Sequence, residues 1–103
     1  MIQLTDGNLR NHHVYLRKHL DFFPADAIGA ASVRNGKGTL LTLHFDGLPS
    51  AVKTDISCEK KSFRCRGPWR EFFGLHHLAE GDSVVIERVS AYDYQILPAR
   101  RAC

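Results

Sequence analysis

Two polar segments carry the residues best suited to reading a charged or hydrogen-bonding surface. The first holds Asp6, Asn8, Arg10, Asn11, His12 and His13; the second holds Ser57, Glu59, Lys60, Lys61 and Ser62, with Arg64 and Arg66 close behind. An arginine fork matches guanine O6 and N7, and an asparagine amide matches adenine N6 and N7, so Arg10 with Asn8 or Asn11 has the chemistry of base-edge readout. His12 and His13 add short-range donors, while Asp6 or Glu59 can accept from cytosine N4 or orient a neighbouring cation. Lys60, Lys61, Arg64 and Arg66 suit contacts to phosphate, where charge matters more than placement. Asp6-Gly7-Asn8 is equally what a plain turn requires, since these residue types adopt turn conformations readily.

Other chemistries find less support. Cys58, Cys65 and Cys103 are an odd number in a sequence without a leader-like start, so a disulfide framework is not expected and a reducing setting fits best. A zinc site from Cys58 and Cys65 with His76 and His77 has a spacing that matches no common zinc pattern, and adjacent histidines on a helix point about 100° apart. No nucleophile elbow, metal spacing or paired-carboxylate pattern accompanies the six histidines. The expectation is a domain with no catalytic residue, no metal and no cofactor. Residues 1–6 lack the basic and apolar stretches of a signal peptide, and no apolar run nears the roughly 20 residues that span a bilayer. A soluble, cytoplasmic protein without a membrane partner is therefore expected.

The charge is unevenly distributed. Net charge is only +3, but from Lys53 to Arg70 six basic residues face two acidic ones, whereas from His76 to Leu97 one basic residue faces four acidic ones. Such asymmetry within 103 residues, a length suited to one domain spanning 1–103, offers a cationic face to an anion.

The elements that must position these residues are mostly strands. Ile2–Thr5 and His13–Leu16 read as short strands, Arg17–Phe23 as a short helix ended by Pro24, and Ala31–Arg34 as a further strand before the turn Asn35-Gly36-Lys37-Gly38. Thr39–Phe45 places Leu41, Leu43 and Phe45 on one face; the Asp46-Gly47 turn then leads into Ala51–Ile56. Residues 57–61 read as a protruding loop, and in Ser62–Arg66 the alternation sends Phe63 and Cys65 inward and Ser62, Arg64 and Arg66 outward. Pro68 suits a first helical position, and Trp69, Phe72, Phe73 and His76 form a one-sided stripe that packs into the core. Glu80-Gly81-Asp82 turns into Ser83–Val89, and Tyr92–Leu97 ends before Pro98. About seven strands and two short helices in this order make a mainly β domain.

Four segments resemble a known family: Leu4-Thr5 before a polar loop, Phe23-Pro24 after a short helix, FRCRGPWREFF from Phe63 to Phe73, and LAEGDSVV from Leu78 to Val85. In this order and spacing the chain resembles the B3-like DNA-binding pseudobarrel domains of plant transcription factors and of the effector domains of EcoRII-type restriction endonucleases. The resemblance implies an open seven-stranded β-barrel that grips the major groove of double-stranded DNA between an N-terminal arm, here Asp6–His13, and a C-terminal arm, here Ser57–Ser62. The second arm lacks the aromatic and asparagine residues of many plant members. The similarity to effector domains implies a restriction-enzyme specificity module with a nuclease domain as its partner in a longer protein. A stand-alone transcriptional regulator, or a β-domain binding RNA or an acidic protein, are the rival readings. An A-form RNA duplex separates them, because its major groove does not admit such arms.

Overall fold

Leu41, Leu43 and Phe45 are buried and His44 is exposed on the strand that the alternation predicts, labelled β3 (Leu41–Phe45) below. The structure, a computed structural model, describes residues 2–30, 36 and 38–99. The expected strand Ala31–Arg34, two residues of the turn after it, and Cys103 lie outside them.

In chain order the elements are β1 (Ile2–Gln3), α1 (Asp6–Asn11), single 3-10 turns at Leu20–Phe22 and Ala25–Ala27, β2 (Ile28–Gly29), β3, β4 (Val52–Thr54), β5 (Ile56–Ser57), β6 (Ser62–Phe63), α2 (Gly67–Leu75), β7 (Ser83–Arg88) and β8 (Asp93–Ala99). β3 pairs antiparallel with β4 through a turn in which Gly47 has φ 86°; a Cβ there would also lie 2.7 Å from the Leu75 side chain. On its other side β3 runs parallel to β8, with Thr42 opposite Asp93 and Phe45 opposite Ile96. β7 pairs antiparallel with β8 and with β1, giving a five-stranded sheet in the order β1-β7-β8-β3-β4. The second sheet has three strands, β2 parallel to β5 and β5 antiparallel to β6.

The fold is thus mainly β with two short helices, but its described strands form two sheets that are not closed into a barrel. The expected single strand Ala51–Ile56 is broken at Asp55, where the chain leaves β4 in one sheet and enters β5 in the other. At this corner the Asp55 carbonyl accepts from Arg64 N–H (3.0 Å), and its buried carboxylate accepts from Gly38 N–H and the Arg64 guanidinium, so the charge it carries inward is matched. The helices also differ from expectation. His13–Leu16 contributes only one bridge, Tyr15 opposite Ser62, and Arg17–Phe23 is helical only over the 3-10 turn, since Phe23 is already extended before Pro24. The first α-helix lies instead at Asp6–Asn11. β8 continues through Pro98 because β3's last partner is Ile96, so one side of β8 is an edge there, where proline is tolerated.

α2 joins the two sheets. Trp69, Phe72 and Phe73 are buried as the stripe predicts; the Trp69 ring lies 4.9 Å from Phe45 of the larger sheet and 5.7 Å from Phe63 of the smaller. One aromatic core therefore ties both sheets together. His76, at the end of the stripe, is only half-buried, with its ring 4.8 Å from Phe72.

Candidate nucleic-acid interface

The N-terminal segment is held at both ends. Leu4 donates its N–H to the Asp82 carbonyl (2.7 Å) and accepts from Gly81 N–H (3.0 Å), so the segment starts pinned to the turn before β7. Thr5 caps α1: its Oγ1 accepts from Asn8 N–H (3.2 Å), and its own N–H donates to Asn8 Oδ1 (2.9 Å). This reciprocal box buries Asn8, so its side chain belongs to the helix start and is not presented at the surface. Beyond it the helix exposes Asp6, Arg10 and Asn11, with Arg10 Nε 2.9 Å from Asp6 Oδ2. His12 ends the helix in a left-handed conformation, φ 55°.

The second segment is a tight hairpin rather than an open loop. Lys61 N–H donates to the Ser57 carbonyl (2.8 Å), Lys60 N–H to Ser57 Oγ (3.3 Å), and Lys61, φ 53°, turns the chain into β6. Ser57 and Ser62 are buried, Glu59 and Lys60 exposed, and Lys61 half-exposed with its Nζ on the Cys58 carbonyl. The burial of Ser62 departs from the outward position that the alternation predicts, because Tyr15 crosses it from the N-terminal segment.

That crossing brings the two segments together. Leu16 N–H donates to the Lys61 carbonyl at 2.7 Å, next to the bridge of Tyr15 with Ser62. His13 is buried there, its ring 4.6 Å from Tyr15, with neither ring nitrogen hydrogen-bonded to any described residue. Burial, and then the charges of Arg66, Lys60 and His12, hold its imidazole below the ordinary value of 6.5. Arg17 adds a cation that residue type and spacing did not single out: its guanidinium lies 5.6 Å from the Tyr15 ring centroid. The alternation of histidine, tyrosine and basic residues over His12–Lys18 was the available signal.

Arg64 does not share this exposed position. Its Nε and Nη2 bind Asp55 Oδ1 and Oδ2 at 2.7 and 2.9 Å, and Nη2 also donates to the Ala30 carbonyl at 2.8 Å. Asp55 Oδ2 further accepts from Gly38 N–H at 2.7 Å, and Gly38 packs so close that a Cβ would sit 2.6 Å from the Ala27 carbonyl. Burial alone would push the Asp55 carboxyl up, but the bonds from Arg64 and Gly38 outweigh it and hold the carboxyl below its ordinary range. Arg64 correspondingly holds its proton more tightly, chiefly through that bond to Asp55. The outward-facing pair of guanidiniums that strand alternation predicts is therefore corrected: β6 ends at Phe63, Arg64 turns in to the sheet corner, and Arg66 alone is exposed.

Between the hairpin and the start of α2 lies a cleft of about 160 Å³ lined by Ser57, Lys60, Ser62, Phe63, Arg64 and Arg66. Cys58 is exposed; Cys65 is half-buried, and burial pushes its thiol up. His76 Nε2 lies 2.6 Å from the Asp46 carbonyl oxygen. Among the described residues no group of three or more His, Cys, Asp or Glu is placed to hold a metal ion, and no helix is long and apolar enough to cross a membrane. No family model, curated protein or solved structure matches the chain.

Proposed function

We propose that this chain is a B3-like domain, an opened pseudobarrel, that binds double-stranded DNA sequence-specifically as the specificity module of a bacterial restriction endonuclease. The observation that carries the reading is the Leu16–Lys61 backbone bond, which with the Tyr15–Ser62 bridge holds the stretch just after the N-terminal arm against the cationic hairpin. The shared aromatic core of the two sheets, and the corner at Asp55, support an opened barrel as their common origin.

On this reading α1 enters a major groove about 12 Å wide, which admits an α-helix about 10–12 Å across with its side chains. Arg10 reads a guanine by exchanging its exposed partner Asp6 for O6 and N7, an exchange that costs little because exposed ion pairs contribute little. Asn11 and His12 contact neighbouring base edges. Lys60, Lys61 and Arg66 meet phosphates, with Glu59 orienting them. Asn8 and Arg64 serve the fold, and His13, Ser57 and Ser62 line the junction between the arms. The domain itself is non-catalytic, and cleavage belongs to a nuclease domain of the full protein.

Selection of bound duplexes from a random pool tests the proposal. A recovered consensus whose affinity falls steeply with salt supports it. No consensus, or equal affinity for duplex RNA, overturns it in favour of plain electrostatic attraction.

A further inference from the structure

Lys60 and Arg66 both line the cleft between the β5–β6 hairpin and the start of α2, while Arg64, its third cation, is already matched by Asp55. Two positive charges are therefore left to the cleft. Ser57 adds a hydroxyl whose oxygen accepts from Lys60 N–H and whose own proton is free to point elsewhere. Arg66 is also the N-cap of α2, which has no side-chain cap and no acidic residue in its first turn, so the helix's positive end adds to the same region. Beside it His13 is only 8% exposed, with both ring nitrogens lacking a described partner. Asn8 Nδ2 and Trp69 Nε1 are likewise without a described partner and His13 does not line the cleft, but the charges of Arg66 and Lys60 act on its imidazole, so its ring signals report on the cleft.

We infer that this cleft is a seat for a single phosphate group, held between Lys60 and Arg66 with the Ser57 hydroxyl as donor. The inference rests on the duplex-binding reading for the source of that phosphate, a backbone phosphodiester that fixes the register of the DNA on the hairpin. Such a seat differs from a diffuse basic surface because the phosphate displaces water from a concave site and meets donors in fixed directions.

Titration of the full chain with inorganic phosphate, followed by amide and histidine-ring NMR signals, tests it. Saturable shifts confined to Ser57, Ser62, Arg66 and His13, weakened about tenfold by Arg66→Gln through loss of a charge-assisted bond, are expected. Arg88→Gln, a cation removed from β7, leaves them unchanged. Lys60→Gln provides a second variant should Arg66→Gln perturb the start of α2. Shifts that rise without saturation over Arg17, Lys18 and Arg88 alike overturn the seat. The duplex arm separates the two claims. If a selected duplex binds Arg66→Gln and Lys60→Gln as it binds the parent, the phosphate seat fails while duplex binding survives. If phosphate saturates the cleft but no duplex is retained, the seat stands and the proposed function falls.

Discussion

Two arginine–aspartate pairs use the same chemistry at nearly the same distance in opposite surroundings. Arg64 lies 2.7 Å from Asp55 at the corner between the sheets, with the Asp55 side chain 2% exposed; Arg10 lies 2.9 Å from Asp6 on α1, with both side chains more than half exposed. Desolvation decides what each can do. A buried charge is strongly tied to its partner because the alternative is an uncompensated ion, whereas an exposed pair exchanges its partner for water or a ligand at little cost. One pair therefore belongs to the architecture and the other is available for recognition, although both read alike in the sequence.

The largest effect is expected at the corner. Arg64→Ala leaves the Asp55 carboxylate buried and unpaired and lowers stability by about 3–5 kcal/mol, measured by urea unfolding. Because the folded Asp55 titrates below its ordinary 3.8, the stability it contributes is present above that value and lost as pH falls through the folded one. An Arg64→Met, Asp55→Leu pair that recovers most of the loss sharpens the contrast; an Arg64→Ala protein as stable as the parent breaks it. Next, Arg10→Ala changes stability by less than about 0.5 kcal/mol but relaxes discrimination at one or two base pairs by about 1–3 kcal/mol. An unchanged selected consensus removes Arg10 from base readout.

Lys60→Ala combined with Lys61→Ala is expected to weaken binding across sequences and to flatten the salt slope by about two, one for each phosphate no longer neutralised. An unaltered slope places both lysines outside the interface. The smallest effect concerns His13. Its folded imidazole titrates below the unfolded 6.5, so between those values the unfolded chain binds more protons; stability rises with pH there and is lost as pH falls below about 6.5. His13→Gln should flatten that part of the stability–pH profile, and an unchanged profile assigns it to another group.

How far the sequence could be read depended on whether the decisive interaction was local. Leu41, Leu43 and Phe45 alternate within one strand, and Trp69, Phe72 and Phe73 recur at helical spacing, so both buried sets were legible from period alone. The start of α1 was also local: Thr5 and Asn8 stand three residues apart, as a capping box requires, but asparagine in place of the usual Glu or Gln made the segment look like a turn. Arg64 was misplaced for a different reason. Its direction is set by Asp55 nine positions away and by the Ala30 carbonyl, and strand alternation carries no information about either. The pairing of β2 with β5, and the crossing of Tyr15 over Ser62, likewise depend on partners far along the chain.

The anchoring of Leu4 to Gly81 and Asp82, with β1 laid against β7, has a consequence for assembly. Pairings between such remote stretches form late, because the intervening chain must give up its freedom before they can close. Helix α1 therefore takes its fixed position only once the Gly81–Asp82 turn, about 70 residues further along, is in place. A chain cut before that turn thus lacks the anchor that holds the start of the helix carrying Arg10.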